Sequence, residues 1–369
     1  MEKSITDWNA ELPYAYWLNN IEGIGKKTEA ELLQYAGTAQ NVYHISDKEA
    51  GELLKGKQLN AFLLSKETWN VEWQYQDLLQ QGILFYPRAH SLFPKRLADI
   101  PDAPNSLYVK GKLPDEQKIS VAVIGARRCS EYGRYMARQY GEVLAGAGIQ
   151  VISGMANGVD SISQQGAIAA GGETFAVLGC GVDICYPEEK LSLYQAIMQQ
   201  GGVLSEYVPG TLPKAGLFPL RNRIISGLSD AVVVIEAKEK SGTLITVDMA
   251  LEQGRDVYAL PGRVTDALSK GCNRLIRQGA GMVTIPEDLI YELTGQSTGG
   301  KITAPKVMRF ASNIEEEIWH VLDYYPQSIQ MISAQKQDIS MPVLLQTLLG
   351  LCMSGYAEQI TNGYYVKII

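Results

Sequence analysis

Short runs rich in Val and Ile at 121–124, 150–153, 174–178, 203–205, 231–235 and 257–260 constrain this chain more than any other feature. Helical stretches such as 132–147 and 246–253 separate most of them. A strand that is apolar throughout has no face to give to water, so the alternation predicts an α/β domain: a mostly parallel sheet with helices on both faces. Sheets of this kind hold ligands beyond the carboxyl ends of their strands, where the strand order reverses. The Gly- and Arg-rich turns of the sequence fall at those ends.

The run at 121–124 leads into Gly125, Ala126, Arg127, Arg128, Cys129 and Ser130, which open a helix. Glycine lets an anion approach the backbone, and a helix N-terminus offers unpaired N–H groups. Arg127 and Arg128 add charge-assisted bonds to the same anion. The turn reads as well as a tight connection with two solvated arginines. The second run leads into Ser153 and Gly154, the third into Gly179 and Gly181, and a later one into Ser241, Gly242 and Thr243, whose hydroxyls and amides suit an anion nest. Each is ordinary turn chemistry by itself. All four follow strands of one sheet, which brings them onto one edge.

Phe218, Pro219, Leu220, Arg221, Asn222 and Arg223 are expected as a further turn before a helix at 224–228. Two guanidiniums flanking an amide supply fixed donors for successive phosphate oxygens. The competing reading is a pair of arginines bridging acidic groups. Phe218 either stacks on a base or belongs to the core.

With 369 residues the chain suggests two or three domains. Its net charge of −7 argues against a generally basic surface and favours a confined cationic site in acidic surroundings. The five cysteines have no C-x-x-C spacing and read as free thiols; neither a metal nor a cofactor is expected. No apolar run is long enough to span a bilayer and the first residues lack the order of a signal peptide, so a cytoplasmic protein is expected.

Residues 1–75 read as a helical domain, 76–294 as the sheet domain, 295–308 as a Gly/Ser/Thr-rich linker and 309–369 as a C-terminal domain. Gly23, Gly25, Lys26 and Lys27 look like half of a helix-hairpin-helix, either touching DNA phosphates without regard to sequence or serving as a structural hairpin. At the other end, helices at 314–322, 329–333 and 342–353 precede strands at 356–360 and 364–368, the order of a winged helix. The helix at 342–353 carries no positive charge, which favours protein contact or a structural role over reading a DNA groove.

Taken in order, 123–128, 153–160, 177–181 with Tyr186 and Pro187, 204–206, 218–228, 241–246, 260–262 and 269–280 resemble the DNA processing protein A (Smf) family, and 86–111 resembles its lead-in. The resemblance implies a Rossmann-like core that binds single-stranded DNA without strong sequence preference during natural transformation and DNA processing. It further implies protection of that DNA, help in loading the RecA recombinase onto it, a homodimer and no catalytic residues. The family's pocket arginine falls on Arg127, with Arg128 adjacent, and its Arg-Asn-Arg motif on Arg221, Asn222 and Arg223. A sterile-alpha-motif-like domain before the core and a winged helix after it also fit the family. Two positions depart from the pattern. Gln164 stands where a His is frequent, and Glu188 and Glu189 stand where a basic residue often follows Tyr186 and Pro187, leaving charge there to Lys190.

A Rossmann-like enzyme hydrolysing a nucleotide or a phosphoribosyl bond is the alternative. It needs a positioned acid or base. His44, His90 and His320 lie outside the strand–helix core, which leaves Asp160 and Glu206. Pro261 and Gly262 continue into Arg263 and Val264 instead of the Pro-Gly-Gly-x-Gly-Thr of phosphoribohydrolases. A dehydrogenase fits less well, because Arg127 occupies the second Gly position of G-x-G-x-x-G.

Overall fold

The computed structural model describes residues 7–295, 310–361 and 363–367. Six helices come first: α1 (Trp8–Asn19), α2 (Lys26–Ala36), α3 (Ala39–His44), α4 (Asp47–Leu53), α5 (Lys57–Thr68) and α6 (Val71–Gln80). Thr38, Ser46 and Asn70 each cap a helix by accepting a backbone N–H from its first turn, and Ser46 does so reciprocally with Glu49. Trp17, Leu32, Val42 and Phe62 fill the centre of this layer. Its core runs on into Phe85 and Tyr108 of the first two strands, so helices and sheet share buried surface. The expected boundary after residue 75 falls inside α6.

The sheet region follows as β1 (Leu84–Pro87), α7 (Lys95–Ala98), β2 (Ser106–Gly111), β3 (Ser120–Ile124), α8 (Glu131–Gly146), β4 (Gln150–Ser153), α9 (Val159–Ala169), β5 (Thr174–Val177), α10 (Leu191–Gln200) and β6 (Gly202–Ser205). It continues with α11 (Leu217–Gly227), β7 (Ala231–Val234), α12 (Gly242–Glu252), β8 (Asp256–Ala259), α13 (Lys270–Arg277), β9 (Gly281–Met282) and α14 (Pro286–Thr294). The nine strands lie in the order β1-β2-β6-β5-β4-β3-β7-β8-β9. From β6 to β9 every neighbouring pair is parallel, whereas β2 runs antiparallel to β6 and β1 to β2.

Each inner strand is buried on both sides, as its apolar composition requires. Ala122 and Ile124 of β3 pack with α11, α12 and α13, while Val121 and Val123 pack with α8 and α14. The six Val- and Ile-rich runs thus correspond to β3 to β8 within a residue or two. The chain leaves β3 towards β4 on one flank and later returns to β7 on the other, so the strand order reverses between β3 and β7. One expected turn is helical: residues 218–223 form the first turns of α11. Pro219 lies in that first turn, where its missing N–H has no intrahelical partner to lose.

The expected linker, Gly295 apart, lies outside the described residues. Gly295 ends α14 in the left-handed conformation with φ of 65°. The C-terminal region comprises α15 (Asn313–Val321), β10 (Gln327–Ser328), α16 (Ile329–Gln335), α17 (Met341–Met353), β11 (Ala357–Thr361) and β12 (Tyr364–Lys367). Its sheet has the order β10-β12-β11, and the two-residue β10 is an element the sequence reading lacks. Ile318, Ile332, Leu344, Leu348 and Leu351 are buried together in its core. No helix among the described residues is long and apolar enough to cross a membrane.

Candidate nucleic-acid interface

Three segments converge where the strand order reverses: the loop after β3, the start of α11, and the loop from β7 into α12. Between them lies a cleft of about 750 Å³. Gly125, Ala126, Arg127 and Arg128 form one wall, Phe218, Arg221 and Asn222 another, and Lys238, Lys240, Ser241, Gly242 and Thr243 the third. A recess of about 90 Å³ bounded by Gly154, Gly179, Tyr186, Phe218 and Arg221 adjoins it. The rings of Tyr186 and Phe218 stack with centroids 5.3 Å apart, and the Arg127 guanidinium lies 5.8 Å from the Phe218 ring.

Arg127, Arg128, Lys238 and Lys240 are exposed, and among the described residues none of the four is in an ion pair. Four uncommitted cations around one cleft make it attractive to anions although the chain is acidic overall. Lys238 and Lys240 are absent from the sequence-level set. Their signal was the Lys-Glu-Lys run immediately before Ser241.

Arg221 is of another kind. It is 5 % exposed, with Nη1 donating to the Gly154 carbonyl at 3.0 Å and to the Val177 carbonyl, and Nε donating to Asn222 Oδ1 at 3.3 Å. Burial lowers its pKa to about 10, against the nearby Asp160 carboxylate, which favours the charge. Burial likewise raises Asp160, while Arg221 and the Gly154 N–H (3.1 Å) act the other way. A side chain at position 154 would run into both the guanidinium and the carboxylate, hence glycine there. Gly158 has φ of 81°, and a Cβ there would strike the carbonyls of Ala126 and Arg127. That close approach sets the height of the Arg127 loop.

Arg223, expected beside Arg221 on the phosphate edge, points elsewhere. Its guanidinium grips Glu206 through two bonds of 2.6 and 2.7 Å and lies 3.0 Å from Asp102. Lys26 joins the same cluster, 3.1 Å from Glu206 and 3.7 Å from Asp102. Burial pushes the Glu206 carboxyl up, but Arg223 and Lys26 together hold it below the usual carboxylate range. The physical reason is helical phase: side chains two residues apart on α11 point to different sides. Lys26 therefore fastens the Gly23–Gly25 turn to the sheet region. Lys27 is exposed, 4.0 Å from Glu31, and Gly23, Gly25 and Lys27 are not part of the cleft lining.

The helix N-terminus expected to hold an anion is already occupied. Ser130 caps α8, and the buried Glu236 carboxylate accepts both its N–H at 2.9 Å and its hydroxyl at 2.5 Å. Burial pushes Glu236 up and those two bonds pull it down. Ser153 is fully buried, its hydroxyl donating to the Val123 carbonyl at 2.7 Å. Gly179 leaves room for the Phe218 ring, and Gly181 donates to the Thr211 carbonyl at 2.9 Å. Thr243 donates to the Gly125 carbonyl at 3.1 Å and so ties the first and last loops of the cleft together. Lys190 ends a short 3-10 turn outside the lining, and Gln164 is buried, donating to the Phe175 carbonyl at 3.0 Å.

The family model described as DNA recombination-mediator protein A matches residues 85–294, more than half of the chain and all of the cleft lining. The chain belongs to this family. DNA processing protein DprA of Streptococcus pneumoniae is 44% identical over 202 residues, 54% of this chain and 71% of the relative. Protein Smf of Escherichia coli is 41% identical over 208 residues, 56% of either chain. The X-ray structure of the S. pneumoniae DprA superposes with a TM-score of 0.66 at 33% identity, covering 76% of this chain and 97% of that one. DNA processing protein A of Helicobacter pylori, whose structure was described for its single-stranded DNA binding mode, gives 0.51 at 30% identity over 57% and 95%. The expected DprA/Smf membership and the mostly parallel α/β sheet therefore hold. Residues 310–367, with the whole C-terminal sheet, lie beyond the family match.

Proposed function

We propose that this DNA recombination-mediator family protein binds single-stranded DNA in the cleft between β3 and β7, with little sequence preference and without catalysis. The observation that carries the reading is the set of cations Arg127, Arg128, Lys238 and Lys240, in no ion pair among the described residues, around a cleft also lined by the stacked Tyr186 and Phe218. Phosphates lie against the cations and the Ser241–Thr243 amides, and a base stacks on the exposed ring of Tyr186. Arg221 shapes the wall it shares with Phe218, and Arg223 acts at a distance by holding α11. A binding role also agrees with the carboxylates: Glu206 is committed to Arg223 and Lys26, and Asp160 to Arg221 and the Gly154 amide.

Membership of a recombination-mediator family supports the wider role: shielding single strands in the cytoplasm and assisting the loading of RecA during natural transformation, as a homodimer whose two clefts hold a strand by avidity. The C-terminal region is assigned as a winged helix for protein contact, because α17 carries no cation with which to read a groove. The deciding experiment is fluorescence anisotropy with labelled oligothymidine at two salt concentrations. Four phosphate contacts give a log–log salt slope of about −3, and Arg127→Ala/Arg128→Ala reduces it by about 1.4. Absence of binding by the wild type at low salt ends the reading.

A further inference from the structure

The two segments that bring cations to the cleft are joined at both ends. One runs from Gly125 at the end of β3 to Ser130 at the start of α8 and holds Arg127 and Arg128. The other runs from Glu236 after β7 to Thr243 in the first turn of α12 and holds Lys238 and Lys240. Glu239, between the two lysines, is not part of the cleft lining. The Thr243 hydroxyl donates to the Gly125 carbonyl at 3.1 Å. At the other end the Glu236 carboxylate accepts the Ser130 N–H at 2.9 Å and the Ser130 hydroxyl at 2.5 Å. Each tie joins the start of one segment to the end of the other, so the pair forms a closed frame with two cations on each side.

The local sequence makes room for this frame. The Glu236 carbonyl lies 3.0 Å from where a Cβ on Gly125 would stand, and a Cβ on Gly133 would run into the Glu236 carboxylate. Glu236 is 4 % exposed, and no cation is among the groups that act on its carboxylate. Burying a carboxylate without a cation is costly, and negative charge beneath a phosphate site opposes binding. Nor does α8 need the group in order to begin, because the Ser130 hydroxyl already accepts the Gly133 N–H at 3.1 Å. What the carboxylate adds is the link between the two cation-bearing segments.

We infer that Glu236 is a positioning residue for single-stranded DNA: together with Thr243 it holds the Arg127–Arg128 wall at a fixed separation from the Lys238–Lys240 wall, so that one strand meets all four cations at once. The inference rests on the cleft being a single-stranded DNA site. Glu236 touches no phosphate itself, since it is buried and both of its carboxylate oxygens are taken by Ser130. It acts through the loops, whose ordering before DNA arrives removes that entropic cost from binding.

Two substitutions in the full-length protein each cut one tie: Glu236→Ala, and Thr243→Val, which keeps the backbone amide. Anisotropy with labelled oligothymidine is followed across a salt series, because the slope counts the phosphates engaged together and does not depend on the fraction of protein folded. Each variant should bind about tenfold more weakly at low salt, with a slope reduced by about 1.4 as only two cations stay engaged. Glu236→Gln keeps the side-chain length and an acceptor for the Ser130 N–H, and should restore the wild-type slope. Weaker binding at the wild-type slope in both cut variants overturns the inference, since the ties then serve folding alone. Tighter binding by Glu236→Ala overturns it too, because the carboxylate then acts only by repelling DNA. If the wild type fails to bind at low salt, the cleft reading itself fails; if it binds and the cut variants keep its slope, only the frame does.

Discussion

Arg221 donates to two carbonyls from a position that is 5 % exposed, whereas Arg127 lines the cleft from an exposed loop and, among the described residues, its guanidinium is engaged by a ring and no ion pair. Replacing Arg221 by Ala leaves the Gly154 and Val177 carbonyls unpaired and Asp160 without its counter-charge. A loss of about 3–5 kcal/mol is expected, read by urea or thermal unfolding. Arg127→Ala should change stability by no more than about 0.5 kcal/mol yet weaken oligothymidine binding, so the two substitutions separate folding from binding. Gly158→Ala tests the loop below Arg127. It places a Cβ at a positive φ against two carbonyls, and should cost about 1–3 kcal/mol and lower DNA affinity at the same time. A variant that is destabilised yet binds normally would mean that the height of the Arg127 loop does not matter.

Between elements, two carboxylates act as clasps. Glu206, at the end of β6, receives Arg223 from α11 and Lys26 from α2 and so joins the helical layer to the sheet. Glu173 precedes β5 and gathers Lys112, Lys118 and Gln150 from the ends of three other strands. Burial pushes the Glu173 carboxyl up, but those bonds outweigh it and bring its pKa down from 4.5 to about 2. A folded pKa below the unfolded one means that the stabilisation is complete above about pH 4.5 and is lost as pH falls towards 2. Glu173→Gln should therefore be less stable than wild type at pH 7. The gap in urea midpoint should narrow as pH drops below 4.5, and a gap independent of pH would refute the assignment.

Over the whole molecule, the C-terminal region rests on the sheet region through consecutive residues between α15 and β10. Asp323 lies 3.7 Å from Arg263, the Tyr325 ring is 4.1 Å from the Arg263 guanidinium and its hydroxyl donates to Asp266, and Tyr324 packs on Tyr135 at 4.7 Å. Arg263, the residue that breaks the phosphoribohydrolase signature, thus serves as the docking post for this region. Exposed ion pairs contribute little, so the two tyrosines carry the contact. Tyr324→Ala/Tyr325→Ala should speed limited tryptic cleavage between the two regions while leaving short-oligothymidine affinity unchanged. Reduced affinity in that variant would instead make the C-terminal region part of the cleft's binding surface.

The Val- and Ile-rich runs were sufficient by themselves to determine the parallel sheet, and with it the edge where the glycine turns gather. Burial on both faces leaves a strand no other composition, so this signal is local and survives without knowledge of the fold. The ordered motifs from Gly125 to Ala280 likewise determined the family. What each polar side chain does was settled only by the tertiary structure. In the sequence Arg221 and Arg223 read either as phosphate donors or as bridges to acidic groups, and Lys26 as a DNA contact or part of a structural hairpin, with nothing to tell the three apart. Asp160, Glu206 and Asp102, which commit them, come from positions far away in the chain or on other elements. Ser130 and Ser153 read as anion donors until Glu236 and the Val123 carbonyl are brought to them. Lys238 and Lys240 became cleft residues because β7 lies beside β3, a pairing across more than a hundred residues that no local pattern records. Ion pairing and hydrogen bonding act over a few ångströms, and which groups come that close is decided by the topology of the sheet.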